Sequence, residues 1–195
     1  MKRAYYSAPI ADFLAAPSEQ VLGTIVGGIT FALEHTQRNA WVEEIRILKD
    51  LLSTREGHIY FEYAIPRMGK RIDVLLIIGP AIFVIEFKIG EKDFTLSGTD
   101  QVWDYGLDLK NFHESSHSRL IAPILCASSA QTVASVISKE PRNDRLLSPN
   151  HCSVDSIGNV IDEVLNLAED DVTINVEEWE RGRYCPTPTI IEAAL

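Results

Sequence analysis

The chain has 195 residues, 46% of them hydrophobic, enough for one full core with at most a lesser appendage. Its formal net charge of −10 argues against a protein that grips nucleic acid through a broad basic surface, while leaving room for a local basic patch. Three cysteines (Cys126, Cys152, Cys185) without a Cys-x-x-Cys spacing point to neither a disulfide framework nor a zinc knuckle, and they fit a reducing compartment. No apolar run approaches the roughly 20 residues of a membrane span, and Met1-Lys2-Arg3 is not followed by an apolar stretch of signal-peptide length. A cytoplasmic protein with no membrane partner is expected. Charge is polarised: 155–180 holds no Lys or Arg, whereas the middle carries Arg67, Lys70, Arg71, Lys88, Lys92, Lys110 and Arg119.

In chain order, residues 7–16 predict a short helix with Ser7 as cap and Pro9 in its first turn. Pro17-Ser18 opens a second helical stretch that Gly27-Gly28 weakens. Thr36 can cap a longer helix to about Leu52, with Trp41, Ile45, Leu48 and Leu52 as its apolar face. At 100° per residue Glu44 falls between Leu48 and Leu51 on that face, and Glu43 turns away beside Asp50. A carboxylate facing a core needs a partner. Glu44 is therefore a candidate site acid, the alternative being a Glu at the margin of the stripe, bent into solvent.

Ile59 to Ile65 alternates as a strand, and Pro66-Arg67-Met68-Gly69-Lys70 reads as a turn. Next comes the stretch around which the chain is organised, Arg71 to Lys88, two β-branched apolar runs about Gly79-Pro80. A turn at those two residues opposes residues whose numbers sum to 159. Asp73 then faces Glu86 and Arg71 faces Lys88, with Asp73, Glu86 and Lys88 on one face. Ile72, Val74 and Leu76 are expected on one side and Leu75, Ile77, Ile82 and Val84 on the other, so helices should cover both. Directly opposed residues bring their Cβ atoms to about 4.5–5.5 Å, where two carboxylates repel. Something positive is expected between them: a bound cation, Lys88, or both.

Glu91 to Gly98 reads as a polar connection, and Asp100 to His113 as a helix capped by Asp100 or Thr99, with Gln101 and Tyr105 on one face. Leu120 to Ala127 is a buried strand that Pro123 draws toward an edge or a bulge. From Thr36 to Ala127 the order is helix, strand, strand, strand, helix, strand, which gives an α/β fold with a mixed central sheet flanked by helices. Beyond it a short strand is expected at 132–138, a loop at 139–150, an amphipathic helix at 155–168 and a short strand at 172–176. Thr189 and Glu192 form a capping box opening a helix that stops at Leu195 after about two turns, as if the chain continued. The expected division is 1–35, a helical extension; 36–127, the core; and 128–195, a C-terminal extension.

Asp73 followed by Glu86-Phe87-Lys88 in this element order resembles the PD-(D/E)xK nuclease superfamily, with its restriction-endonuclease-like αβββαβ core. Glu44 matches the helix acid that many members carry ahead of the strands. Gln101-Val-Trp-Asp-Tyr105 resembles the Gln-x3-Tyr motif of RecB-type members, and Ile72 stands where the motif has Pro. At longer range, Arg3-Ala-Tyr-Tyr-Ser7 through to His113 is similar to the N-terminal region of bacterial P-loop helicase-like proteins akin to Schlafen-type ATPases. This chain has no Gly-x4-Gly-Lys-Ser/Thr, so the resemblance implies an ATPase partner domain beyond it.

The implied activity is Mg²⁺-dependent (or Mn²⁺-dependent) phosphodiester hydrolysis of nucleic acid, DNA first. Asp73, Glu86, the Phe87 backbone carbonyl and Glu44 are the implied metal ligands. Lys88 would orient the water or stabilise developing charge, Gln101 and Tyr105 would position substrate or water, and Arg67, Lys70 and Arg71 would meet phosphates. Two other readings stand beside it. A nuclease-like module that has lost turnover would bind nucleic acid or a protein partner. His113-Glu114-Ser-Ser-His117 also matches the zinc-protease pattern His-Glu-x-x-His, which requires a helix continuing through both histidines.

Overall fold

A computed structural model describes residues 3–29, 35–66, 68–131 and 145–186. The β-branched run folds on itself about Gly79-Pro80 to give β3 (Lys70–Ile78) and β4 (Ala81–Lys88). These strands pair antiparallel from Val74↔Ile85 to Ile78↔Ala81, so every opposed pair sums to 159. Gly79 takes φ +55°, a left-handed conformation that costs glycine nothing because it lacks a Cβ. On the far side of β3 lies β2 (His58–Ile65), also antiparallel, and β1 (Tyr6–Pro9) pairs antiparallel with β2. The chain leaves β4 through α4 (Leu96–Phe112) and returns as β5 (Leu120–Ala127), parallel to β4. A short β6 (Asn150–Cys152) runs parallel to β5. The result is a six-stranded mixed sheet whose spatial order follows chain order.

Both faces are covered. On one, Trp41, Ile45 and Leu48 of α3 (His35–Leu51) and Ile157, Val160, Ile161 and Val164 of α5 (Ile157–Leu167) pack with Val74, Leu76, Phe83 and Ile85. On the other, Val102, Tyr105 and Leu109 of α4 pack with Leu75, Ile77, Ile82 and Val84. The remaining helices are α1 (Ile10–Ala15), α2 (Ser18–Gly27) and α6 (Val176–Glu180). Among the described residues no helix is long and apolar enough to cross a membrane.

One irregularity matters for everything that follows. Ile59 and Phe61 of β2 face the α3 side, yet Tyr63 and Ile65 face the α4 side together with Tyr60. In β3, Val74 and Leu76 face α3, but Ile72, expected beside them, faces α4. Both strands change face at the same level, between the pairs Phe61↔Val74 and Tyr63↔Ile72, at Glu62 and Asp73. Glu62 takes φ +54°, a region that a side chain with a Cβ rarely adopts.

Four sequence expectations are corrected. Residues 7–16 are not one helix: Ser7 is in β1 with its hydroxyl on His58 Nε2 at 2.9 Å, because pairing with the edge of β2 claims the backbone through Pro9. The α4 helix begins at Leu96 rather than Asp100, capped by the Thr95 hydroxyl, which accepts from Gly98 N–H at 3.1 Å. A side chain at 98 would sit 3.3 Å from Leu125, so the glycine that reads as a loop is needed for close packing on β5. Pro123 does not make β5 an edge strand; β5 lies between β4 and β6. Ile121 bonds to Arg145 and Leu147, and the next described ladder contact is Ile124↔Asn150, so Pro123 falls where the neighbour's ladder is interrupted and its missing N–H leaves no gap. Residues 172–176 make no strand. Ile174 N–H donates to Gly79 O at 2.9 Å and Asn175 caps α6. The strand expected at 132–138, residues 139–144 of the expected loop, the Thr189–Glu192 box and Arg67 lie outside the described residues.

Candidate active site

The expected residues come together at the end of the sheet away from the Gly79-Pro80 turn, where β4 and β5 present their carboxyl ends. The β3–β4 ladder stops at Val74↔Ile85, one pair short of Asp73 and Glu86. Released from the ladder, Phe87 N–H donates instead to Asp73 Oδ2 at 3.0 Å. The Phe87 carbonyl faces the same side as its N–H, as it must in an extended strand, and so turns toward Asp73. Glu86 is 4% exposed and holds Lys88 Nζ at 2.8 Å through Oε1. Asp73 and the Gln101 amide lie near enough to this carboxyl to oppose, with Lys88, the rise that burial gives its pKa. Gln101 Nε2 donates to the Tyr105 hydroxyl at 2.8 Å, so Gln101 and Tyr105 of α4 brace Glu86 from the sheet face it occupies.

From the opposite side α3 contributes Glu44, 4% exposed, which settles that its carboxyl turns inward rather than to solvent. Glu43 turns outward as the wheel requires and pairs with Arg46. The sequence reading missed a fourth acid. Glu62 sits between Asp73 and Glu44, with Trp41 Nε1 donating to its Oε1 at 3.0 Å. In the alternation of β2 it looks like an ordinary outward polar residue, and no residue type announces its positive φ. The only legible signal is a charged residue inside the apolar run Ile59 to Ile65.

Burial of like charges shapes the electrostatics. Glu44 is pushed up to about 8, first by desolvation and then by Glu62 and Glu86. Asp73 is held well above the usual carboxylate range by desolvation, Glu86, Glu44 and Glu62, with only the Phe87 N–H opposing. Glu86 is raised by burial and pulled back by Lys88. Glu62 is raised by burial, against the Trp41 bond and the nearby Arg71. Tyr105 is pushed up to about 12 by burial.

Two carboxylate oxygens, Glu44 Oε2 and Glu86 Oε2, are buried without a hydrogen-bond partner. Such orphans fit a hard cation, because each retains lone pairs that no donor in the protein takes. Among the described residues, no set of three or more His, Cys, Asp and Glu already encloses a cation-sized point. Burial and mutual repulsion favour the protonated carboxyl at Glu44, Asp73 and Glu86. No family model, curated protein sequence or solved structure matches this chain.

The outlying candidates fare differently. Lys70 is exposed at the start of β3. Arg71 is committed to structure: Nη1 donates to Glu62 O at 2.5 Å, and its guanidinium lies 4.0 Å over the Tyr5 ring, so it braces the irregular strand rather than reaching for phosphate. The histidine pair is not on one helix. α4 ends at Phe112 and His113 leaves it in extended conformation before a short 3₁₀ turn. His113 is fully buried with both ring nitrogens engaged, Nδ1 with Ser116 Oγ at 2.7 Å and Nε2 with Arg3 Nη1 at 3.1 Å. The zinc-protease geometry is absent because the serines that follow His113 end the helix.

Proposed function

We propose that this chain is a Mg²⁺-dependent phosphodiesterase acting on nucleic acid, DNA first, with a restriction-endonuclease-like core formed by α3, β2, β3, β4, α4 and β5. The observation that carries the reading is the meeting of Asp73, Glu86 and Lys88 from one hairpin with Glu44, leaving two buried carboxylate oxygens without a donor. A structural role gives no reason to gather four acids at one end of a sheet, since each raises the cost of ionising the others.

Asp73, Glu86, Glu44 and the Phe87 carbonyl would hold the metal, which when bound supplies an activated water and polarises a phosphoryl oxygen. Glu62, tied to Trp41 and Arg71, would act from behind by holding negative potential on the site. Lys88 is half-buried at the mouth, so its ammonium would face the phosphate while Glu86 fixes its position. Gln101, bonded to Tyr105 and close to Glu86, would be a positioning residue for substrate or water.

The test is cleavage of labelled DNA with Mg²⁺ or Mn²⁺ by wild type, Asp73→Asn and Lys88→Ala, alongside calorimetry of the metal alone. The expected result is metal-dependent cleavage lost in both variants, and metal binding lost in Asp73→Asn with protons released on binding to wild type. Undiminished cleavage by either variant would overturn the reading. Absence of both cleavage and metal binding in wild type would reduce the cluster to a proton-sharing core of a binding module.

A further inference from the structure

The loops that follow β4 and β5 leave the sheet side by side at the end that carries the acids. They are laced together: Ser128 N–H donates to Lys88 O at 3.1 Å, Ser129 N–H to Glu91 O at 2.9 Å, and Gly90 N–H to Ser128 Oγ at 2.8 Å. Against them opens a cleft of about 520 Å³ lined by Lys92, Asp93, Phe94, Ser129, Ala130 and Gln131. Phe94 is half-buried and packs on the α4 side of the sheet, the side that Glu86 and Lys88 share by alternation. Its ring is backed by His151, stacked with centroids 4.8 Å apart and planes 4° from parallel. His151 is fixed in turn by Nε2 on the Thr99 hydroxyl at 2.8 Å. Two residues on, Leu96 is 76% exposed.

This is a flat aromatic surface, fixed from behind and open to a cleft whose other walls are an ammonium, a carboxylate, a hydroxyl and an amide. An apolar ligand would find too many polar walls. A planar group with a polar edge and a nearby phosphate fits: the face stacks, the edge meets Asp93, Ser129 or Gln131, and the charge meets Lys92. The protein's acidity sharpens the choice. A net charge of −10 opposes affinity drawn from neutralising many phosphates along a duplex, whereas stacking is independent of charge and tolerates any base. A paired base has its faces already covered.

We infer that the Phe94 cleft binds an unpaired nucleobase of the strand whose phosphate reaches Asp73, Glu86 and Lys88, so that the substrate is single-stranded DNA. The link to that phosphate rests on the proposed phosphodiesterase activity, but base binding by the cleft does not.

The experiment is fluorescence anisotropy with a labelled single-stranded oligodeoxynucleotide and its duplex, in chelator so that nothing is cut. The proteins are wild type, Phe94→Ala, Phe94→Trp and Lys92→Ala. Single strand is expected to bind wild type at least about fivefold more tightly than duplex, and Phe94→Ala to weaken it about tenfold. Phe94→Trp should retain binding, which separates loss of stacking from loss of fold. Lys92→Ala should weaken binding less and flatten its salt dependence. Equal binding of single strand by wild type and Phe94→Ala, equal binding of duplex and single strand, or no binding of single strand would each overturn the inference. Metal-dependent cleavage by the same proteins separates the two proposals. Cleavage that needs Asp73 but ignores Phe94 leaves the nuclease and removes the subsite, while Phe94-dependent binding without cleavage does the reverse.

Discussion

Two polar clusters among the described residues are built on opposite terms. In one, Arg3, His113, Ser116 and Trp179 draw the chain's beginning and end against the turn after α4. Both ring nitrogens of His113 are engaged, Trp179 Nε1 donates to Ser116 Oγ at 2.8 Å, and Arg3 Nη2 donates to Gly182 O at 2.7 Å. In the other, Glu44, Glu62, Asp73 and Glu86 repel one another, and two of their oxygens have no donor. Satisfied networks rigidify a fold, and unsatisfied ones cost stability, which a fold tolerates where something else is to be bound. The first cluster holds the protein together. The second leaves two buried oxygens that no protein donor satisfies.

That contrast can be broken. Lys88→Ala should lower metal-dependent turnover about 10²–10³-fold, as loss of one oriented charge does, with the unfolding midpoint unmoved. Trp179→Ala should do the opposite, costing about 3–5 kcal/mol in urea denaturation, since it removes a buried ring packed at a tilt against Tyr60, Tyr63 and His113. A Lys88 variant that loses stability, or a Trp179 variant that keeps it, would erase the distinction.

The two clusters should also titrate in opposite directions. Glu44 is raised to about 8, so the folded chain keeps a proton that the unfolded chain releases near 4.5. Its contribution is full below about 4.5 and is lost as pH climbs to about 8. His113 is lowered to about 3 by burial and Arg3, so its contribution is full above the ordinary 6.5 and is lost as pH falls toward 3. Each proton contributes a slope of up to about 1.4 kcal/mol per pH unit. Between pH 6.5 and 8 the acids act without His113. The urea midpoint of the metal-free protein should fall there, and Mg²⁺ should flatten the fall. The smallest effect sharpens the point: Glu44→Gln should raise stability by about 1–2 kcal/mol at pH 8 and change it little at pH 5, where Glu44 is already protonated.

Much of this was legible because apolar patterning and turn residues write directly into strands. The run Arg71 to Lys88 carries its own turn, so the register of β3 with β4 and the approach of Asp73 to Glu86 follow from counting. The helical angle put Glu44 on the core side of its helix but left a solvent-turned carboxylate as the alternative, which only packing decides. Glu62 was not legible, because its role depends on a backbone conformation that the residue type disfavours and only tertiary packing imposes. Ser7 and Gly98 misled for a related reason. Each carries a local preference, for a cap or a loop, that a neighbouring strand overrides.

The face change at Glu62 and Asp73 has a last implication. Phe61↔Val74 and Tyr63↔Ile72 would be consecutive pairs of a regular ladder if the two acids were absent, and faces would then alternate without interruption along both strands. Glu62 and Asp73 are in effect a matched insertion, one residue in each of β2 and β3, at a level where the residues before β1 also bond to β2, Tyr5 N–H to Phe61 O and Ala64 N–H to Arg3 O. Excising both together should leave a folded protein with a native-like far-UV circular dichroism spectrum and no metal binding, while excising either alone should throw the ladder beyond it out of register. That outcome would separate the acid cluster from the scaffold by two codons.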